Sequence, residues 1–337
     1  MHGSSPKVSV VLPFYNAEKT LSVALQSIAD QKFSDWECVM VDNNSSDGSG
    51  DIAAGWERMD PRFRLVQEER QGVMYASNRG CDVARGVYLA RMDADDVARP
   101  LRLSLQCEFL DSYPDFGAVA GLVTHVGDPE TTGGFMRFVE WSNSVITYEE
   151  IYNRRFIEAP IVNPTAMWRR ETMELFGLYR AGDFPEDYEM WLRWLDAGVK
   201  IAKVPEVVLD WHDSEGRLTR THPIYSDRAF YEIKSKYLAK WLSERNPYHP
   251  YVAIWGASRI SRRRARILEQ LGVHIKTYID TKRTRQLEKE LIYYEDLPES
   301  GSLFILTYIR QMDNRERIQA FLEGRGYVEG KDYLLVS

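Results

Sequence analysis

Apolar residues in the first hundred positions form short runs that alternate with amphipathic stretches. The β-branched run Val8–Leu12 ends at Pro13, and the apolar positions after it recur every three or four residues, which predicts a buried strand and then a helix. The same alternation predicts further strands over Cys38–Val41, Phe63–Val66 and Val87–Met92, and helices around Ile52–Met59 and Met74–Ala84. This order indicates a doubly wound, mostly parallel α/β sheet, whose ligands bind beyond the carboxyl ends of the strands.

The later part of the chain predicts a second and smaller unit. Helical patterns cover Leu101–Asp111, Asp187–Asp196 and Pro223–Leu242, and a strand pattern covers Ile201–Leu209. The two prolines within residues 246–250 would break the last of these helices. Strand patterns at Tyr251–Trp255, Ile275–Ile279 and Leu303–Thr307, with helices between and after them, then predict a small Rossmann-like α/β domain. We therefore expect a first domain over residues 1–245, a linker over 246–250 and an accessory domain over 251–337.

Charge and cysteine content argue against a nucleic-acid-wrapping protein and against a cysteine metal site. The formal net charge is −7, divided as −10 before residue 249 and +3 after it, which argues against a protein that wraps nucleic acid. Cys38, Cys81 and Cys107 lie in apolar stretches without metal-type spacing, so they indicate buried thiols in a reducing compartment. No run of 18 apolar residues and no signal-peptide pattern occurs, so we expect a cytoplasmic protein without a transmembrane segment.

An acidic string follows the strand at Val87–Met92. Asp93 and Asp95 stand at positions i and i+2 directly after a strand, so their carboxylates project to the same side and can approach one cation. Mg²⁺ or Mn²⁺ bound in this way keeps coordination positions for substrate phosphates. The alternative from these residues alone is an Asp-rich turn that caps the next helix.

Five sequence elements together resemble the family 2 glycosyltransferases with the GT-A fold. They occur in the family's order and spacing: VSVVLPFYN at residues 8–16, QKF at 31–33, VDNNSSDG at 41–48, the glycine-bearing stretch 72–86, and DADD at 93–96. The resemblance covers roughly residues 7–215. It implies a GT-A domain that transfers a sugar from a nucleotide diphosphate donor, with inversion at the anomeric carbon.

The resemblance also implies which residues bind the donor. Pro13, Tyr15 and Glu18 would surround the base and ribose, and Asp42 would accept a hydrogen bond from a ring N–H of the base. A carboxylate can only accept hydrogen bonds, so it prefers a base edge that donates, such as uracil N3–H or guanine N1–H, over cytosine. We expect a UDP-sugar ahead of a GDP- or dTDP-sugar. The tripeptide that ends at Asn78 lacks the arginine that often precedes this asparagine in the family.

The metal ligands and the catalytic base are likewise implied by the resemblance. Asp93 would contact ribose or metal, and Asp95 would bind the Mn²⁺ or Mg²⁺ that bridges the two phosphates. Asp187, at the start of a helix, matches the family's Glu-Asp motif and would take the proton from the acceptor hydroxyl. Its other interpretation is a helix N-cap.

A polar segment follows the last strand of the first domain. His212 could be a third metal ligand, and Ser214 and Arg217 could hold the departing diphosphate, as a similar segment does in the family. A purely structural histidine is the alternative for His212.

The second domain imitates a dinucleotide fingerprint at Gly256, but Ser258 and Ser261 replace two of its glycines, which disfavours NAD binding. Five arginines follow on one helix, and they indicate either a solvated face or a surface for phosphate, an anionic lipid-linked acceptor or a subunit partner.

Several possibilities remain at this point. A sugar nucleotidyltransferase and a non-catalytic nucleotide-sugar-binding scaffold are the alternatives to a transferase in surface polysaccharide or glycoconjugate synthesis. A processive synthase is disfavoured, because transmembrane helices and a QxxRW element are absent from the sequence. The acceptor, peripheral association with the inner face of the membrane, and homo-oligomerisation stay open.

Overall fold

The computed structural model describes residues 5–127, 133–213, 222–283 and 289–337. By its contacts, the chain divides into two compact units. The first comprises the described residues within Met1–Tyr148, Ile161–Gly182 and Glu186–Thr221, and the second those within Glu149–Pro160, Asp183–Pro185 and His222–Ser337.

The first unit contains an eight-stranded mixed sheet. Its strands are β1 Val8–Phe14, β2 Trp36–Asp42, β3 Phe63–Gln67, β4 Tyr88–Arg91, β5 Val97–Ala98, β6 Phe116–Val126, β7 Met167–Arg169 and β8 Lys200–His212. Its helices are α1 Leu21–Ala29, α2 Ser49–Met59, α3 Val73–Val83, α4 Arg102–Ser112, α5 Gly133–Asn143, α7 Arg170–Phe176 and α8 Glu186–Asp196, while α6 Tyr148–Arg154 lies almost wholly in the second unit.

The spatial order of the strands is β3-β2-β1-β4-β7-β6-β8-β5. Strands β1 to β4 pair in parallel, and every residue of β1 and β2 is buried, as the continuous apolar runs predict for strands covered on both faces. The register sets Phe14 opposite Asp42 and Val11 opposite Arg91. The segments that follow β1, β2 and β4 therefore emerge at the same edge of the sheet.

Strands β5, β6 and β7 are absent from the sequence prediction. The short β7 pairs antiparallel with both β4 and β6, and the two-residue β5 pairs antiparallel with β8. Strands of two and three residues are too short to show a period of two, and glycines at 117 and 121 interrupt the apolar pattern of β6. The mostly parallel sheet is confirmed, with antiparallel additions beyond β4.

The second unit has its own five-stranded parallel sheet, in the order β11-β10-β9-β12-β13. Its strands are β9 Tyr251–Trp255, β10 His274–Asp280, β11 Glu290–Tyr293, β12 Ile305–Thr307 and β13 Tyr333–Leu335, and its helices are α9 Asp227–Arg245, α10 Arg259–Gln270 and α11 Met312–Gly324. This is the Rossmann-like arrangement that the sequence predicts for a smaller domain.

The contact-defined units differ from the expected division after residue 245. Helix α9 groups with the second sheet, because Tyr231 shares a hydrogen bond with Ser337 at 2.5 Å between the hydroxyl oxygens and Trp241 packs on Phe304. Residues 149–160 join the same unit, where the indole of Trp241 donates to the hydroxyl of Tyr152. Sequence patterns cannot assign α9 or residues 149–160 to either sheet, whereas these contacts assign both to the second unit. The domain bounds 1–245, 246–250 and 251–337 stay a prediction.

The three cysteines are free and buried in the first unit. Cys38 lies in β2, Cys81 in α3 and Cys107 in α4. Burial raises the pKa of all three thiols, to about 12 for Cys81 and for Cys107. All three thiols are therefore protonated and unreactive in the folded protein.

Candidate functional site

The segments that follow β1 and β2 form one polar surface at the carboxyl edge of the sheet. Asp42 ends β2, and its Oδ1 accepts the backbone N–H of Ser45 at 2.9 Å while its Oδ2 accepts Nε2 of Gln67 at 3.2 Å. Tyr15, the residue after β1, is 54% exposed. An anchored carboxylate and an exposed aromatic ring thus belong to adjacent segments.

Hydrogen bonds from backbone N–H groups to side-chain oxygens join these two segments. The N–H of Asn16 donates to Ser45 Oγ at 3.1 Å, and the N–H of Ser46 donates to Asn16 Oδ1 at 2.8 Å. Glu18 lies beside Gly48, where a Cβ would come within 2.7 Å of Glu18 Oε1. Pro13, by contrast, is buried within β1 opposite Val41. The structure therefore brings the exposed Tyr15 and Glu18 and the buried Asp42 to the same edge of the sheet, and it holds Pro13 inside the sheet.

The acidic turn after β4 brings three carboxylates together. Oxygen atoms of Asp93, Asp95 and Asp96 lie within 4.8 Å of one another, and these three residues form the one group of potential metal ligands among the described residues. Asp93 and Asp95 are partly exposed, whereas Asp96 is buried. Carboxylate oxygens are the donors that Mg²⁺ and Mn²⁺ prefer, so the chemistry of this group fits such an ion.

Two buried arginines compensate the charge of the acidic turn. Arg91, only 3% exposed, pairs with Asp93 at 2.6 Å between Nη2 and Oδ1. Burial acts to lower the pKa of Arg91, but nearby groups, Asp93 foremost, outweigh it and raise the pKa above its usual value.

Arg102 is the second buried arginine, and its Nη2 donates to the carbonyl of Arg91 at 2.6 Å. Burial lowers its pKa to about 10, although Asp96 and Asp93 act in the opposite direction. Sequence analysis did not identify either arginine. For Arg91 the available signal is a charged residue within an otherwise apolar strand, whereas Arg102 is the first residue of helix α4.

His212 reaches the acidic turn through its backbone. Its N–H donates to Asp96 Oδ1 at 2.9 Å, so the end of β8 lies directly beside the turn. Two further contacts hold the end of β8 in this position. Strand β5 pairs antiparallel with β8, and Arg99 forms an ion pair with Asp210 at 2.6 Å. Asp96 is thus a positioning residue, while Ser214 and Arg217 lie outside the described residues.

Asp187 lies in the first turn of α8, partly buried. Burial raises its pKa to about 7, and the neighbouring carboxylates of Glu186 and Asp93 act in the same direction. The backbone N–H of Tyr188, which donates to Asp187 Oδ1 at 2.7 Å, acts in the opposite direction. The structure therefore places Asp187 electrostatically close to the acidic turn, although 94 positions separate it from Asp93 in the sequence.

Asn78 connects helix α3 to the same region. Its Nδ2 donates to the carbonyl of Tyr179 at 2.9 Å, and the hydroxyl of Tyr179 donates to Asn163 Oδ1 at 3.1 Å. The Oδ1 of Asn78 is buried and has no hydrogen-bond partner among the described residues. The side-chain amide is therefore fixed on one side, and its buried Oδ1 can still accept an N–H or O–H.

The sequence model of the family described as Glycosyl transferase family 2 matches residues 9–176. EpsE of Bacillus subtilis (strain 168), provisionally named as a glycosyltransferase, is 28% identical over 225 residues, which are 66% of this chain and 79% of EpsE. AmsE of Erwinia amylovora, named as an amylovoran biosynthesis glycosyltransferase, is 26% identical over 204 residues, 60% of this chain and 74% of AmsE. TuaG of B. subtilis, provisionally named for teichuronic acid biosynthesis, is 38% identical, but over 31% of this chain and 42% of its own length.

Among solved structures, S. aureus TarS 1-349 in complex with UDP-GlcNAc superposes with a TM-score of 0.56 and 20% sequence identity, over 78% of this chain and 71% of that chain. This similarity supports the GT-A fold. None of the helices in the described part of the chain is both long and apolar enough to cross a bilayer.

Proposed function

Because the chain belongs to glycosyl transferase family 2 and is therefore a glycosyltransferase, we propose that it transfers a sugar from a nucleotide diphosphate donor to an acceptor hydroxyl with inversion at the anomeric carbon. The observation that carries this proposal is a group of three carboxylates in the acidic turn, one of which, Asp93, helps to raise the pKa of Asp187 at the start of α8. An inverting transfer needs a base on one side of the anomeric carbon and charge stabilisation for the leaving group on the other.

Asp187 acts as the base in this proposal. A carboxyl group whose pKa lies near 7 accepts a proton more readily than an ordinary aspartate and is still substantially ionised at neutral pH. The N–H of Tyr188 holds one carboxylate oxygen, which orients the other lone pairs of the group. The proton of the acceptor hydroxyl passes to Asp187 as the oxygen attacks the anomeric carbon and the bond to the nucleotide diphosphate breaks.

Asp93 and Asp95, with His212 as a third candidate, would hold Mn²⁺ or Mg²⁺. When bound there, such an ion supplies electrostatic stabilisation for the negative charge of the leaving diphosphate. Arg91 fixes the carboxylate of Asp93 through its 2.6 Å ion pair, and Asp96 fixes the end of β8 through the N–H of His212. These contacts preorganise the turn before the donor arrives.

We propose that Asp42 accepts a hydrogen bond from the base of the donor. Each of its oxygens already accepts one N–H of the protein, so the group is oriented, and a carboxylate oxygen has room for a second donor. A base that presents a ring N–H satisfies it, which favours uracil, thymine or guanine over cytosine, and among these we propose a UDP-sugar. TarS, which shares the fold, was crystallised with UDP-GlcNAc.

Tyr15, Glu18 and Asn78 complete the proposed donor site, with Pro13 supporting it from within β1. The diphosphate would also meet Ser214 and Arg217. The names of AmsE and TuaG refer to polysaccharide synthesis, and we propose that role here, with an acceptor hydroxyl on a sugar or a lipid-linked glycan.

Asp95→Asn tests the proposal, because an amide is a much weaker ligand for a hard cation than a carboxylate. We expect the wild-type chain to gain thermal stability with UDP-sugar and Mn²⁺ together, since a ligand of the folded state stabilises it, and Asp95→Asn to lose that gain. Asp82→Asn, which makes the same charge change on the exposed face of α3, is the control and should behave as wild type. Unchanged Mn²⁺-dependent binding in Asp95→Asn would refute the metal assignment.

A further inference from the structure

Helix α10 of the second unit carries a strongly basic face, which we call the arginine face and define as Arg259, Arg262, Arg263 and Arg266. At 100° per residue these four positions fall on one side of the helix, and the opposite side, with Ser261, Ala265 and Leu268, is buried against the unit. The four guanidinium groups therefore share one direction of approach.

None of these four arginines makes an ion pair with any residue that the structure describes. The Nε of Arg262 is moreover shielded from solvent and has no hydrogen-bond partner there. Arg264, the fifth arginine of the helix, shows the contrast: it is buried and pairs with Asp227 at 2.7 Å. Within the described residues, one arginine of the helix is thus neutralised internally, and the other four have no ion-pair partner.

The shape of the face argues for an extended anionic partner. The four arginines and Ile260 line a cavity of about 700 Å³, and all of its lining residues within the described chain come from this one helix. Arg259 and Arg266 are seven residues apart, which is about 10 Å along the axis. A single phosphate would need converging donors, whereas a row of this length suits several headgroups side by side.

The apolar neighbour of the face distinguishes a bilayer from nucleic acid. Ile260 is 55% exposed and flanks the arginines, and none of the described residues that line the cavity is aromatic. An aliphatic side chain beside a basic face suits the boundary between headgroups and acyl chains, while surfaces for single-stranded nucleic acid combine basic with aromatic residues. We propose that the arginine face docks this protein on the surface of an anionic phospholipid bilayer. The proposal is independent of the transferase chemistry.

Vesicle binding of the full chain tests this inference. The chain should co-sediment with vesicles of phosphatidylcholine and phosphatidylglycerol far more than with phosphatidylcholine alone, and high salt should weaken this binding. Each arginine near an anionic surface contributes about fivefold, so Arg263→Gln/Arg266→Gln should weaken binding by roughly 30-fold. Arg263→Lys/Arg266→Lys should retain most of it, because the charge is kept.

The control is Arg58→Gln/Arg317→Gln, which removes the same two charges from exposed positions outside the face. It should bind vesicles nearly as well as wild type, and circular dichroism should show that all variants fold. Equal losses in the two double glutamine variants, or no preference for phosphatidylglycerol, would overturn the proposal. It would also be overturned if the face instead governed oligomer size, or bound inorganic phosphate, without binding vesicles.

Discussion

At the scale of single residues, Asp187 combines two opposing demands. Burial and the carboxylates of Glu186 and Asp93 make its ionised form costly, yet a base must be ionised before it can accept a proton. A pKa raised above the usual value means that the folded state binds the proton more tightly than the unfolded state. Asp187 therefore lowers the free energy of unfolding as pH rises from about 4 to about 7, and the full cost is present above that window.

We therefore predict that Asp187→Asn loses roughly 10²-fold or more in turnover and gains about 1–3 kcal/mol in stability at pH 8. The gain should vanish near pH 4, where the aspartate is protonated in both states. Nucleotide-sugar binding should persist. Steady-state kinetics, titration of the donor and chemical unfolding at both pH values measure these effects, with Asp82→Asn as the control. A collapse of donor affinity would assign Asp187 to the donor site and leave the base to be found.

At the scale of secondary-structure elements, helix α3 lies against the centre of the sheet at a glycine. A Cβ on Gly80 would come within 2.4 Å of Val11 Cγ1 and 2.9 Å of Val41 Cγ2, both from buried strands. Such distances force the helix or the strands to move. Because Asn78 lies on the same helix, this close approach also sets the position of a proposed donor ligand.

Gly80→Ala should lower the free energy of unfolding by about 1–3 kcal/mol, because overpacking outweighs the better helix propensity of alanine. Gly324→Ala is the matched control, since a Cβ at Gly324, the last residue of α11, meets no atom within 4 Å, and it should be neutral or slightly stabilising. Urea unfolding of both variants measures the difference. A Gly80→Ala variant as stable as wild type would show that the packing can relax at no cost.

The elements also show where sequence reasoning succeeds. Long apolar or amphipathic patterns predicted β1, β2, α8 and β9 to within two residues at either end. They did so because elements that are buried against a sheet have apolar residues at regular or continuous positions in the sequence. Strands β5 and β7 are too short to show such a pattern, yet their pairing helps to bring β8 and His212 to the acidic turn. The ion pair of Arg91 with Asp93 could not be foreseen either, since it depends on a rotamer and on the burial around it.

At the scale of the whole molecule, one buried lysine connects separate segments of the second unit by hydrogen bonds. Lys234 of α9 donates through Nζ to the carbonyls of Phe156 at 2.9 Å, Ile157 at 3.1 Å and Val336 at 2.8 Å. These three acceptors come from two segments that are far apart in the sequence. The contacts explain why residues 149–160 fold with the second sheet although the chain places them between strands of the first.

Lys234→Met should therefore destabilise the second unit by about 2–4 kcal/mol, because three buried carbonyls lose their donor. Calorimetry of the full chain should show this loss, and nucleotide binding by the first unit should be unchanged. Lys236→Met, an exposed lysine on the same helix, is the control. If both variants unfolded as wild type does, the three hydrogen bonds would contribute nothing measurable.

The placement of the cysteines has a practical consequence for such experiments. All three sulfhydryl groups are enclosed in the first unit, and the second contains none. A chromogenic thiol reagent can modify them only when that unit opens, so the rate of modification reports its opening alone, without any introduced label. The same rate, followed with increasing nucleotide sugar, converts the natural cysteines into a gauge of donor affinity, whatever happens in the rest of the chain.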